Sequence, residues 1–263
     1  MTLSVIIPVY NCSEWVDDCL ESLAAQHFKD FEILAVDDHG SDDSMEKIRL
    51  FAAAHPEMDI KYLATACNSG PGEARNVGIR AAVGEYVTFL DADDTVQPRM
   101  FDRMIEQARL NNDEVVYCQA RQIFPDGHVK LLKNPPYFSR SQFLKSYVGG
   151  IWNGWLMKTE FLRRHDLLFP PFHASEDSAF AGAAILMAEK VSCVEEPLYN
   201  YLVHSQSVSR KKDSGKAAQK RAAFRWLIGY AKQKGVYDSN KGALQWLYLK
   251  KAVLVPFVER FKR

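Results

Sequence analysis

The feature that most restricts this chain is a rhythm in its first hundred residues. A short β-branched or aromatic run is followed by apolar residues at helical spacing, and the pair then recurs. Leu3-Ser4-Val5-Ile6-Ile7-Pro8-Val9 reads as a buried strand that proline halts. Phe31-Glu32-Ile33-Leu34-Ala35-Val36, Ile60-Lys61-Tyr62-Leu63 and Tyr86-Val87-Thr88-Phe89-Leu90 read as three more. Helical patterns fill the spaces between them, over residues 14–26, 45–54 and 73–83. Strands alternating with helices at this pace predict βαβ units and an α/β fold, a Rossmann-like and largely parallel sheet flanked by helices. Ligands of such open sheets sit beyond the carboxyl ends of the strands. Three clusters fall there: Pro8-Val9-Tyr10-Asn11, Asp37-Asp38-His39-Gly40-Ser41 and Asp91-Ala92-Asp93-Asp94. Their shared position argues for one site.

After residue 100 the rhythm loosens. Helices are expected over 101–110, 139–147 and 178–188, and strands over 114–119, 122–124 and 128–131. From about residue 214 the pattern is helical again. This divides the chain into a main domain over 1–213, with halves at 1–100 and 101–213, and a helical extension over 214–263. A length of 263 residues suits such a plan, and 47% hydrophobic content suffices for a self-supporting core. Lys+Arg and Asp+Glu both number 33, so charge gives no reason to expect nucleic acid as a partner. The five cysteines are scattered without CxxC spacing, which fits reduced thiols in the cytosol. The sequence shows neither a secretory leader nor an apolar run of roughly 18 residues. The expectation is a cytoplasmic protein, soluble or peripheral to the inner face of the membrane.

Asp91-Ala92-Asp93-Asp94 carries the strongest chemical signal. Carboxylates crowded after an apolar strand repel one another unless a cation or solvent offsets them. A hard divalent ion, Mg²⁺ or Mn²⁺, takes such oxygen ligands and shares them with substrate phosphates. Alone, the same motif would more often cap the helix that follows. Its place beside two other strand-end clusters favours the metal. Asp38 can orient a base or a ribose, whereas Ser41 and Asp42 suffice to cap the next helix. Arg75 stands in the first turns of a helix after the Gly-containing turn at Asn68, and both features favour anions. Neither GxGxxG nor GxxxxGK[ST] is present, so no dinucleotide or P-loop site is supported.

Val5-Ile6-Ile7-Pro8-Val9-Tyr10-Asn11, Val36-Asp37-Asp38-His39-Gly40-Ser41, Asn68 through Arg75-Asn76, and Asp91-Ala92-Asp93-Asp94 stand in a shared order. In that order they resemble family 2 glycosyltransferases, inverting enzymes of the GT-A fold, over roughly residues 1–210. The resemblance implies roles position by position. Pro8, Val9, Tyr10, Asn11 and Asp38 would hold the nucleotide, with Asn68 and Arg75 nearby. Asp91 and Ala92 would face the ribose or donor sugar. Asp93 would bind the metal that bridges the diphosphate, with Asp91 beside it. Ser175-Glu176-Asp177 matches the family's acidic pair before an apolar helix, so Asp177 is the expected general base and Glu176 its neighbour. His204 would complete the metal shell, while Ser207 and Arg210 would reach the diphosphate. Trp152, Asn153 and Trp155 occupy the stretch that lines the acceptor site, where flat rings stack on sugars; packing in the core is an equal use. Two positions depart from the family pattern. His39 stands where glycine is usual, and Gly154-Trp155 interrupts the commoner acceptor motif.

The resemblance thus implies transfer of a sugar from a nucleotide-sugar, a UDP-sugar, to a glycan or lipid-linked glycan acceptor in bacterial surface polysaccharide synthesis. A sugar-1-phosphate nucleotidyltransferase would need a Gly-rich, Arg-containing loop after the first strand, and Pro8-Val9-Tyr10-Asn11 offers none. A non-catalytic sugar-nucleotide or glycan-binding module would not need a base such as Asp177. In the tail, Lys250, Lys251, Arg260, Lys262 and Arg263 lie among Leu247, Leu249, Val253, Leu254 and Phe257. Such a helix can lie on an anionic membrane or pack on the core with a basic edge.

Overall fold

Strand β1 (Leu3–Val9) is paired in parallel on both sides, with β2 (Phe31–Asp37) and with β4 (Tyr86–Phe89). β3 (Asp59–Ala64) extends the parallel set beyond β2. A strand covered on both faces needs apolar residues throughout, which is why β1 and β2 read as continuous hydrophobic runs. The crossovers are α1 (Val16–Ala24), α2 (Ser44–Ala54) and α3 (Pro71–Ala81). α3 approaches β1 so closely that a Cβ on Gly78 would lie 2.4 Å from Ile6 Cγ2. The computed structural model describes residues 1–134, 136–137, 139–146, 154–204 and 215–254. Trp152, Asn153, Ser207, Arg210, Arg260, Lys262 and Arg263 lie outside the described residues.

The second half turns the sheet mixed. β8 (Trp155–Lys158) is antiparallel to β4, and β6 (Val115–Ile123) is antiparallel to β8. β9 (Val191–Leu202) then runs parallel to β6, with the short β5 (Thr95–Val96) antiparallel at its edge. β7 (Val129–Leu132) forms a hairpin with β6. The described residues make a nine-stranded sheet in the order β3-β2-β1-β4-β8-β6-β9-β5, with β7 branching from β6. This is the helix-flanked α/β architecture that the resemblance implies.

Two apolar layers cover the sheet. Val5, Ile7 and Ile33 point to the layer of α1 and α4 (Met100–Asn111). Ile6, Leu34 and Phe89 point to the layer of α3 and α7 (Glu176–Met187). The period-two alternation along each strand produces this division. α5 (Arg140–Ser146) and α6 (Thr159–Arg164) complete the second layer through Phe143, Leu144, Phe161 and Leu162.

β9 carries Glu195, Glu196 and Pro197 and has no strand pattern in sequence. Its register against β6 jumps from Cys118↔Val194 to Gln119↔Pro197, so a bulge absorbs the proline that cannot donate to the ladder. β6 itself runs unbroken where two short strands were expected. In the tail, α8 (Lys216–Gln233), α9 (Tyr237–Tyr248) and a π-helical turn (Leu249–Leu254) bury Phe224, Leu227, Leu244, Leu247 and Ala252 in the α7 layer. A Cβ on Gly182 of α7 would meet Leu227 Cδ2 at 2.7 Å. These described parts pack on the core. Among the described residues, no helix is long and apolar enough to cross a membrane.

Candidate active site

The β1, β2 and β4 ends meet in one place, and side-chain hydrogen bonds lock their loops together. Asn11, with φ +48°, accepts the Ser41 backbone N–H on Oδ1 at 2.7 Å. Gly40 packs against this clamp, where a Cβ would sit 2.8 Å from the Asn11 nitrogen. Asp38 was expected beside the nucleotide, but it is only 3% exposed. Its carboxylate accepts from Thr65 Oγ1 (2.8 Å), Ser69 N–H (2.9 Å) and Gly70 N–H (2.8 Å). Buried anions need such donors, so Asp38 shapes the loop that presents the exposed Asn68. His39 has φ +61°, which explains why glycine suits the position; its Nε2 lies 2.7 Å from the Thr65 carbonyl oxygen and offsets part of the strain.

Tyr10 is half exposed and Pro8 partly so, both at the cleft edge. Val9 and Ala92 turn their side chains into the core, so a nucleotide can meet them only through the backbone.

Each carboxylate after β4 has a different partner. Asp91 Oδ1 accepts from Arg75 Nη2 at 2.6 Å. Asp93 Oδ2 lies 2.7 Å from His204 Nε2. Asp94, buried, accepts from the Tyr199 hydroxyl at 2.7 Å and the Leu202 N–H at 2.8 Å. Asp94 therefore caps no helix; it ties the loop to the end of β9. Oxygens of Asp91, Asp93 and Asp94 all lie within 4.8 Å of one another. Burial raises the Asp93 carboxyl above the usual range, helped by Asp91 and opposed by His204. Burial, with Asp93 and Asp91, raises Asp94 well above it. The His204 ring stacks on Trp15 at 4.0 Å between centroids, and its Nδ1 is buried without a hydrogen-bond partner among the described residues.

Arg75 joins this cluster to the second acidic pair. It is 4% exposed, with Nη1 3.7 Å from Glu176 Oε1 and its guanidinium 5.3 Å from the centre of the Phe169 ring. It is held between Asp91 and Glu176. Glu176 and Asp177 occupy the first turn of α7, where the helix dipole favours anions. Glu176 points inward, and burial with the adjacent Asp177 pushes its carboxyl up to about 7 against the pull of Arg75. Asp177 is more open to solvent; burial raises its carboxyl too, opposed by the Ser178 N–H that donates to Oδ1 at 2.6 Å. Carboxyls poised this way suit proton transfer.

Trp155 departs from expectation. It is fully buried, stacked on Tyr117 at 5.6 Å and edge-on to Phe143, so its ring is not offered to a sugar. The reason is its inward place on β8, where its carbonyl oxygen accepts from Thr88 Oγ1 at 2.9 Å. Trp15, Thr65, Phe169 and Tyr199 also build the site and carry no mark in the sequence beyond ordinary strand or helix chemistry.

The family model for Glycosyl transferase family 2 matches residues 4–169. The uncharacterized glycosyltransferase EpsJ of Bacillus subtilis is 31% identical, over 79% of this chain and 62% of its own length. Poly(ribitol-phosphate) beta-N-acetylglucosaminyltransferase TarS of Staphylococcus aureus is 28% identical, over 76% of this chain and 35% of its own. The chain thus spans less than two thirds of the length of these curated relatives. The structure of TarS 1–349 with UDP-GlcNAc superposes with a TM-score of 0.76 at 22% identity, covering 88% of this chain and 66% of that one. Mannosyltransferase PcManGT of Pyrobaculum calidifontis, in complex with GDP-Man and Mn²⁺, gives 0.64 at 18% identity, over 94% and 70%. At these identities the superpositions speak for the GT-A fold alone.

Proposed function

The chain belongs to glycosyl transferase family 2, and on that premise we propose that it is a metal-dependent, inverting glycosyltransferase. It would move a sugar from a UDP-sugar to a hydroxyl of a surface-glycan acceptor. The observation that carries this reading is the Arg75 bridge. One buried guanidinium reaches both Asp91 and Glu176, so two acidic motifs distant in sequence share one cleft.

The donor set fits a divalent cation of the Mg²⁺ or Mn²⁺ type. Asp93 and His204 have converged, and Asp91 stands within reach of Asp93. Asp93, Asp91 and His204 would hold the ion. When bound, it would offset the negative charge that gathers on the departing diphosphate. Asp94 does a different job, fixing the loop to β9 so that Asp93 keeps its position.

On the other side of Arg75, Asp177 takes the proton from the acceptor hydroxyl as it attacks the sugar carbon opposite the leaving group. Its raised carboxyl and partial exposure support that role. Glu176 is the positioning residue: inward and paired with Arg75, it sets where the first turn of α7 sits relative to Asp91. Tyr10 and Asn68 supply exposed groups for the base and ribose at the strand ends. Phosphate-containing acceptors are favoured among surface glycans, because TarS is named for poly(ribitol-phosphate).

The test is a panel of UDP-sugars assayed for Mn²⁺-dependent donor hydrolysis and transfer. Asp93→Ala is expected to weaken UDP binding in the presence of Mn²⁺. Asp177→Asn is expected to keep UDP binding and lose transfer by about 10²–10⁴-fold, the usual worth of a general base. Transfer at the wild-type rate in Asp177→Asn would overturn the base assignment.

A further inference from the structure

His204 is delivered by a fixed backbone. The Leu202 N–H donates to Asp94 Oδ1 and the Val203 N–H to the Ile123 carbonyl oxygen, each at 2.8 Å. The ring is less constrained, because the torsion that sets a histidine plane is broad and roughly two-fold. Among the described residues the ring has one hydrogen-bond partner, Asp93, whose Oδ2 lies 2.7 Å from Nε2. Nδ1 is buried with no hydrogen-bond partner among the described residues. A contact at one corner leaves the plane of the ring undetermined. In histidines that hold metals, a second hydrogen bond from the other ring nitrogen ordinarily sets that plane.

Trp15 supplies the missing constraint. Its ring stacks on His204 with centroids 4.0 Å apart and planes 27° from parallel. The indole is held independently of the acidic cluster. Trp15 stands just before α1, where its N–H donates to the Cys12 carbonyl oxygen at 2.9 Å and its own carbonyl oxygen accepts the Cys19 N–H at 3.2 Å. Its side chain is partly buried and packs on the apolar layer of α1 and α4. A flat face fixed in this way resists rotation of the imidazole laid against it and keeps water off that side. Ordinary core packing accounts for the contact with the apolar layer. It does not account for a stack on the one ring that meets Asp93.

We propose that Trp15 is a positioning residue for metal binding: its stack on His204 replaces the usual hydrogen bond at Nδ1 and holds Nε2 at the Asp93 carboxylate. Its effect is exerted through His204. This rests on the reading of Asp93, Asp91 and His204 as the residues that would hold the ion. Trp15 also follows Tyr10 and Asn11 in the loop after β1. The same stack therefore ties the end of β1 to the end of β9, and with it the nucleotide side to the metal side.

The experiment measures Mn²⁺ binding to the full chain in the presence of UDP, by loss of the free-ion electron paramagnetic resonance signal, so no turnover is needed. Trp15→Leu keeps apolar bulk and loses the flat face, whereas Trp15→Phe keeps a flat face. Trp15→Leu should weaken Mn²⁺ about tenfold, the lower end for lost support around a metal ligand, and Trp15→Phe should retain most of the affinity. In a His204→Gln background, Trp15→Leu should cost little more, because the group it positions is gone. Additive losses would mean that Trp15 only supports the fold, and they would overturn the proposal. Wild-type Mn²⁺ affinity in Trp15→Leu would overturn it too. On the unaltered protein, nuclear Overhauser contacts between the Trp15 and His204 ring protons should persist when Mg²⁺ and UDP are added; their disappearance would count against the proposal equally, and no variant has to fold. If His204→Gln weakens Mn²⁺ and Trp15→Leu does not, the proposed function stands and only this inference fails. Wild-type Mn²⁺ affinity in His204→Gln would instead remove the metal assignment on which the inference rests.

Discussion

The two acidic clusters of this molecule are built in opposite ways. After β4, Asp91, Asp93 and Asp94 each have a partner from a different element: Arg75 of α3, His204 after β9, and Tyr199 with Leu202 on β9. At the start of α7, Glu176 and Asp177 meet Arg75 and the Ser178 N–H among the described residues. The first cluster is cross-linked, as a cation and phosphate site needs to be if its charges are to stay preorganised. The second is desolvated, and burial raises both of its carboxyls. Pre-organisation and titration are separate demands, and the molecule places them on separate elements joined by one guanidinium.

Removing that junction should break both clusters at once. Arg75→Met leaves Asp91 and Glu176 without their shared buried cation, and a loss of about 3–5 kcal/mol is expected in urea unfolding. A loss below about 1 kcal/mol would mean that the clusters are not coupled through Arg75.

A second variant isolates the α7 pair. The Glu176 carboxyl is raised in the folded protein, to about 7. The folded state therefore binds this proton more tightly than the unfolded chain. Its contribution to stability should fall as pH rises from the ordinary glutamate range, near 4.3, to about 7, and stay low above that. Glu176→Gln should flatten this part of the stability–pH curve. An unaltered slope in the variant would sink the claim that Glu176 is the titrating group.

The smallest effect is expected on the cross-linked side. Tyr199→Phe removes a hydroxyl donor from the buried Asp94, at a cost of about 1–3 kcal/mol. Asp93 should then be less well placed, so Mn²⁺-dependent UDP binding should weaken with it. Equal UDP affinity would mean that the Asp94 anchor does not position Asp93.

Much of the fold was legible because local patterns and tertiary structure agree in the first hundred residues. β1 and β2 are buried on both faces, so their sequences are mostly apolar, with the buried Ser4 and Glu32 satisfying each other, and the strand-end clusters follow from them. β9 was not legible, since Pro197 and its glutamates mimic a loop and only the bulge against β6 makes a strand possible. His39 shows the same limit in one residue. The resemblance marks it as a usual glycine position, but only the structure shows the left-handed backbone, which the Thr65 contact helps to hold.

The alternation of strands and helices, the strand ends on which acidic residues fall and the family those motifs mark are short-range properties, written in periodicity and spacing. Which partner each charge meets is settled by the packing of distant elements. Packing placed Arg75 between two carboxylates, Asp38 under a loop and the Trp155 ring inside the core. Burial and charge pairing depend on elements far apart in the chain, so no local pattern records them.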